Sequence, residues 1–271
     1  MSLAPLGRCG VTVTGHRRVG AYDVLTVADP DGPAPAAGQF YMLAAGERWG
    51  GGEDERPFLP RAFSVLRAGP GELQFMLEDV GPGTRRLAEL RAGDELWLTG
   101  PLGNGFARPR QARRPILVGG GVGAAPLAIW QDELGAGALV LLGFRDRAHA
   151  EGAQLLRGAR VATDDGSVGH QGPVTNLLLA ELGCPASPGG LVTASLARAE
   201  VYACGPPAML ETVRAICAEH GVPAQLALES GMACGFGACF GCVVPTKHGY
   251  VRLCVDGPVL DAADLEEVVH A

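Results

Sequence analysis

A chain of 271 residues, 47% of them hydrophobic, is long enough to build about two buried cores. Its formal charge of −7, with the basic residues dispersed, argues against a nucleic-acid surface. The most apolar stretch, residues 116–129, is broken by four glycines and Pro126 and falls short of the roughly 20 residues that cross a bilayer. The start, residues 1–8, is too short and polar for a signal peptide, so a cytoplasmic protein is expected.

In chain order, residues 9–14, 22–27, 39–43, 62–66, 73–77 and 95–99 are short, rich in β-branched or aromatic side chains and bounded by Gly, Pro and Asp clusters. Six such strands predict a small antiparallel β-barrel, interrupted by one helix over 83–90 with Thr84 near its N-terminus. From Pro115 the period changes. Residues 115–130 read as a buried strand, a glycine turn and a helix. Strands at 139–144, 159–163 and 200–204 then alternate with helices at 125–134, 174–181 and 207–220, the pattern of a doubly wound parallel sheet. After Val222 no period is legible, and a small glycine- and cysteine-rich module is expected. The expected domains are a β-barrel over 1–108, an α/β unit over 109–224 and a small cysteine-rich module over 225–271.

The chemistry concentrates in Cys234, Cys239, Cys242 and Cys254, a C-x4-C-x2-C-x11-C array. Four thiolates at that spacing match the plant-type way of holding a [2Fe–2S] cluster, and Gly235, Gly237 and Gly241 let the backbone approach the sulfides. A zinc knuckle and disulfides are the alternatives. Structural zinc sites usually pair two short hooks, and Cys9, Cys184, Cys204 and Cys217 form no framework.

The turn containing Gly119, Gly120, Gly121 and Gly123 suits a dinucleotide pyrophosphate, whose oxygens meet backbone N–H groups and a helix N-terminus; a plain strand–helix junction is the alternative. An acidic residue on the ribose is sought about 20 residues later, and Asp146 stands there, flanked by Arg145 and Arg147, which could instead receive a 2′-phosphate. Arg61, Ala62, Phe63 and Ser64 offer a guanidinium for a phosphate, an aromatic for a flavin ring and a hydroxyl for its polar atoms, while Gly83 and Thr84 offer donors at a helix start. Each also has a structural reading as surface cation, core aromatic or cap. Cys204, Gly205 and Pro206 close a parallel strand, where ligands bind in open α/β sheets, so Cys204 is a candidate beside the nicotinamide or else a buried thiol.

Taken together, Arg61 to Ser64, Gly83-Thr84, residues 100–106, the glycine turn, residues 163–167 with Asp165 and Gly166, Cys204-Gly-Pro and the cysteine module resemble the ferredoxin–NADP reductase superfamily. Within it they are most similar to the electron-transfer subunits of NAD-linked (class 1B) dihydroorotate dehydrogenases. The resemblance implies an enzyme component of pyrimidine biosynthesis that carries FAD and a [2Fe–2S] cluster and passes electrons between NAD and a separate FMN-bearing catalytic subunit. A heterotetramer of two copies of each subunit is implied as well. By the same resemblance, FAD is held by Arg61 to Ser64, by a strand with Met76, Leu77 and Glu78, and by Gly83-Thr84, and the cluster by the four cysteines. Two residues depart from the pattern: Ala62 replaces a common proline, and Glu78 stands where a basic residue often contacts the cofactor. An acidic, glycine-rich insert over residues 49–57 precedes the flavin motif.

Alternative functions are a flavin and iron–sulfur subunit of a ferredoxin:NADP oxidoreductase or sulfide dehydrogenase, and a non-enzymatic redox-sensing adaptor. The first of these relatives replaces one cluster cysteine with an acidic ligand, against which the four cysteines count. The adaptor would need no nicotinamide site. None of the six histidines lies in a triad-like constellation, so positioning and electrostatics, rather than acid–base chemistry, are the expected contribution of the protein.

Overall fold

The computed structural model describes residues 9–50, 56–109, 113–183 and 199–266. Cys184 and most of the acidic insert lie outside the described residues. Strands β1 (Cys9–Val19), β2 (Tyr22–Ala28), β3 (Phe40–Ala45), β4 (Arg61–Gly69), β5 (Glu72–Glu78) and β6 (Glu95–Leu102) close into an antiparallel barrel in the order β1-β2-β5-β4-β3-β6. Helix α1 (Pro82–Ala88) bridges β5 to β6. The strands are longer than their apolar cores because pairing continues into polar ends, such as Arg18 opposite Asp23.

The second layer is a seven-stranded sheet built from β7 (Arg114–Gly120), β8 (Leu139–Phe144), β9 (Arg160–Thr163), β10 (His170–Gln171), β11 (Ala199–Cys204) and β12 (Ala224–Ala227). Strands β13 (Val243–Thr246) and β14 (Gly249–Arg252) form a separate hairpin, and β15 (Val259–Asp261) completes the sheet in the order β10-β9-β8-β7-β11-β12-β15. Every pairing in this sheet is parallel except β12 with β15. Helices α2 (Ala124–Leu134), α3 (Arg147–Ala150), α4 (Val174–Glu181) and α5 (Pro207–His220) accompany it. The sequence pattern stops at Val222, yet β12 follows as a sixth parallel strand. Four residues are too few to show a period, and burial against β11 supplies what propensity does not.

Side-chain alternation along β3 explains how the pieces join. Tyr41, Leu43 and Ala45 point into the barrel core, whereas Phe40 and Met42 point outward and belong to the core that also contains Cys242, Val244, Leu253 and Cys254. The C-terminal segment therefore covers one outer wall of the barrel.

A wedge of aromatics joins barrel to sheet. Phe106, just beyond β6, stacks on Trp130 of α2 at 5.8 Å and meets Tyr202 of β11 edge-on at 5.6 Å. Its neighbour Ala107 accepts hydrogen bonds from Tyr202 Oη (3.2 Å) and Gln225 Nε2 (3.0 Å). Removing so large a buried group leaves a cavity that the rigid strands cannot close. Trp130→Ala should therefore lower the unfolding free energy of the full chain by about 3–5 kcal/mol in denaturant titrations followed by circular dichroism. A loss below about 1 kcal/mol would show that the wedge does not hold the layers together.

Candidate functional site

The cysteine loop is shaped by its glycines. Gly235 and Gly237 adopt φ of +79° and +85°, and a Cβ there would lie 2.5 Å from Met42 Cγ and 2.6 Å from Val255 Cγ2. Phe240 is also left-handed, at φ +58°, and the Arg252 guanidinium lies 5.3 Å over its ring while donating to the Gly237 carbonyl at 3.1 Å.

The four thiols fall into two pairs. Cys242 and Cys254 are buried with their sulfurs 3.2 Å apart, whereas half-buried Cys234 lies next to exposed Cys239. Among the described residues no three His, Cys, Asp or Glu converge on one point as ligands of a lone metal ion. Two pairs are what two irons with two thiolates each require. Electrostatics fits the same group. Burial, then the neighbouring Cys242, pushes the Cys254 thiol up to about 12, so this buried pair needs a cationic centre before both can ionise. At Cys234 burial also acts upward, but N–H groups of Cys239, Phe236 and Ala238 outweigh it and lower the thiol to about 7.

Next to the loop lies a cleft shared by three regions. Phe40, Ala62, Phe63, Ser64 and Met76 line it from the barrel, Val122, Ala125 and Cys204 from the sheet, and Glu229, Ser230 and Met232 from the segment leading to the cysteines. Ser230 Oγ is buried without a hydrogen-bond partner, as expected of a group waiting for a ligand. Arg61 sits apart from the cleft, with its guanidinium against Gly83, where a Cβ would lie 2.6 Å from Arg61 Nε. Arg61 also donates to the Leu59 carbonyl at 2.6 Å. Thr84 Oγ1 accepts from the N–H groups of Val80 (2.9 Å) and Gly81 (3.0 Å), so the hydroxyl fixes the start of α1. The guanidinium and this helix start together could hold a pyrophosphate, with a planar ring in the cleft beside Phe63 and Ser64.

Of the strand segment Met76 to Glu78, only Met76 lines the cleft; Leu77 points into the barrel core. Glu78 instead forms an ion pair with Arg145 and lies 3.3 Å from His149 Nε2.

At the glycine turn the positions have separate tasks. Gly119 permits strand–helix packing, since a Cβ would lie 3.0 Å from Leu127 Cδ1 of α2, and Gly121 takes the left-handed φ of +55°. Gly120 abuts Pro206, Gly205 abuts Gly120, and a Cβ on Gly123 would lie 2.2 Å from the Cys204 carbonyl oxygen. These residues thus meet at the C-terminal ends of β7 and β11, the edge where open parallel sheets bind ligands.

Asp146 and Asp165 stand at the ends of β8 and β9 along the same edge. The Asp146 carboxylate caps α3 by accepting from His149 N (3.0 Å) and ring Nδ1 (2.7 Å), and these bonds hold it below the usual carboxylate range. Asp165 is held down likewise by Ser167, and Gly166 turns the chain at φ +73°. Arg147 donates to the Ser167 carbonyl at 2.6 Å. A ribose at this edge faces two carboxylates, while both arginines are tied back to protein acceptors.

Cys204 is a neutral thiol. Complete burial raises it well above the usual range, with Glu229 adding to the effect. It can shape the cleft but is no thiolate nucleophile. Glu229 reaches solvent at the cleft mouth, yet protein on most sides desolvates its carboxyl and raises its pKa. In the sequence Glu229 and Ser230 open the segment that carries the resemblance most specifically, but they belong to no period and received no role of their own.

The iron–sulfur cluster binding domain of dihydroorotate dehydrogenase B matches residues 229–266. Over 231 residues the chain is 34% identical to the dihydroorotate dehydrogenase B (NAD(+)) electron transfer subunit of Clostridium acetobutylicum, covering 84% of this chain and 85% of that one. The subunit of the same name from Caldanaerobacter subterraneus is 33% identical over 259 residues, with 93% and 96% covered. Among solved structures, an NADH-dependent reduced ferredoxin-NADP oxidoreductase superposes with a TM-score of 0.74 at 24% identity, over 96% of this chain and 91% of that one. A ferredoxin NADP+ reductase from Neisseria gonorrhoeae gives 0.62 at 18%, over 79% and 92%. These two likenesses establish the fold.

The loop geometry separates cluster from flavin experimentally. Cys239→Ser exchanges a soft thiolate for a harder, less acidic ligand, so the purified chain should lose most of its iron and sulfide. Its FAD content and NADH-dependent dye reduction should stay within about twofold of the parent, because Arg61, Phe63 and Ser64, the residues expected to hold the flavin, lie outside the loop. Unchanged iron and sulfide would overturn the ligand assignment.

Proposed function

The chain belongs to the family of dihydroorotate dehydrogenase B electron-transfer subunits, and from that premise we propose how its residues divide the work. It is an NAD-linked oxidoreductase component that passes electrons between a catalytic partner subunit and NAD through FAD and a [2Fe–2S] cluster. The observation that carries the residue-level reading is a single segment: Glu229, Ser230 and Met232 line the cleft, and Cys234 follows two residues later. The ring site and the first cluster ligand are thus tied by the shortest of chain links.

Bound FAD would supply the conversion between hydride transfer and single-electron transfer, which nicotinamide and iron–sulfur groups cannot make directly. The residues position it. Arg61, Gly83 and Thr84 hold the pyrophosphate, Phe63 and Ser64 the ring, and Met76 closes the cleft. Gly121 and Gly123 admit the dinucleotide pyrophosphate, and Asp146 and Asp165 face its ribose, where their charge disfavours a 2′-phosphate. Val122 and Ala125 give the nicotinamide an apolar, water-poor approach to the ring, and Cys204 packs beneath it as a neutral thiol. Cys234, Cys239, Cys242 and Cys254 hold the cluster.

Three divisions belong to this reading: a barrel over 1–108, a nucleotide unit over 109–224 and a cluster segment over 225–271. The partner is an FMN-bearing dihydroorotate oxidase, assembled as two copies of each subunit. Four thiols reserved for a cluster suit the reducing cytoplasm.

The purified chain should bind FAD and reduce an artificial acceptor with NADH, but leave dihydroorotate untouched until the catalytic subunit is added. Dihydroorotate turnover by the chain alone would sink the division of labour. In the same dye assay NADH should give a higher kcat/KM than NADPH, and Asp146→Ala should narrow that gap about fivefold. A wild-type preference for NADPH would refute the ribose assignment.

A further inference from the structure

We infer that Glu78, a barrel residue, sets the nucleotide preference of the neighbouring sheet by holding the Arg145 guanidinium away from the adenosine ribose. The inference rests on the reading above that the dinucleotide lies along the ends of β7, β8 and β9.

Arg145 is the first residue beyond β8 and directly precedes Asp146, so its side chain starts at the edge where the ribose is expected. Its guanidinium does not face that edge unengaged. It forms an ion pair with Glu78, the last residue of β5, and its Nε donates to His149 Nε2 at 2.8 Å. His149 is fixed in turn: its Nδ1 meets Asp146 Oδ1 at 2.7 Å, and its ring meets Tyr22 edge-on at 5.5 Å. The Glu78 side chain is only 19% exposed, against 58% for Arg145, so the carboxylate is the more enclosed member of the pair.

The consequence is electrostatic. A 2′-phosphate at this edge would meet Asp146 and Asp165 but no available guanidinium, since Arg147 is also spent on the Ser167 carbonyl. Released, Arg145 could form the forked, charge-assisted bonds that favour a phosphate. A partly exposed ion pair is weak, and without it only the single bond to His149 Nε2 restrains Arg145, so one substitution should suffice to release it.

The test uses the FAD-loaded full chain. Binding of 2′,5′-ADP and of 5′-AMP is measured by calorimetry, and kcat/KM for NADPH and NADH by dye reduction per bound flavin. For Glu78→Gln the affinity for 2′,5′-ADP relative to 5′-AMP, and the NADPH to NADH ratio, should each rise about fivefold, and the gain should shrink at high salt. Glu78→Asp should stay near wild type. Adding Arg145→Ala to Glu78→Gln should erase the gain, which distinguishes action through Arg145 from the simple loss of a negative charge. Equal changes for both nucleotides, or a gain that survives in the double variant, would overturn the inference while leaving the NAD site standing. Failure of wild type to bind either adenosine probe would overturn both.

Discussion

The glycine turn after β7 approaches the end of β11 so closely that only glycine fits at position 123, where a Cβ would stand 2.2 Å from the Cys204 carbonyl oxygen. Much of the molecule follows from that contact. It brings the glycine turn over the floor of the cleft, so that Val122 and Ala125 line the same space as Cys204. The barrel closes the opposite side with Phe63, Ser64 and Met76. A nicotinamide and a flavin ring placed here would share one apolar enclosure, which hydride transfer requires. The aromatic wedge of Phe106, Trp130 and Tyr202 keeps the two layers in that relation.

One-electron transfer imposes a second constraint, which the C-terminal segment meets by covalent economy. The chain leaves β12, lines the cleft with Glu229 to Met232, and enters the cysteine loop at Cys234. The loop is pinned to the outer face of β3 through Gly235 against Met42, and its far end returns as β15 to the edge of the large sheet. The cluster ligands are thus anchored to both the barrel and the nucleotide sheet. Exposure of Cys239 and Phe240 leaves the outer side of the loop open toward a partner.

Much of this was legible in the sequence because strong local signals coincided with tertiary demands. The thiol spacing, the glycine turn and the alternation of strands with helices each report chemistry that a few adjacent residues impose. Helices α4 and α5 fell where their apolar periods end, at Glu181 and at His220 before the left-handed Gly221. Less was legible where partners come from distant segments. The resemblance places Glu78 at the flavin; its ion pair with an arginine 67 positions away was not legible, because it depends on the approach of two layers. Likewise β12 and β15 are too short to announce themselves, and Glu229 and Ser230, which open the segment of closest family resemblance, acquire a place only from the cleft they line.

The central claim is that cleft and cysteine loop form one conduit. Anaerobic mixing of the purified chain with NADH, followed by flavin absorbance and freeze-quench electron paramagnetic resonance, tests it directly. The account predicts loss of flavin absorbance first, then the signal of a reduced two-iron centre approaching about one spin per chain. Full flavin reduction with an iron–sulfur centre that stays silent at every time point would contradict it.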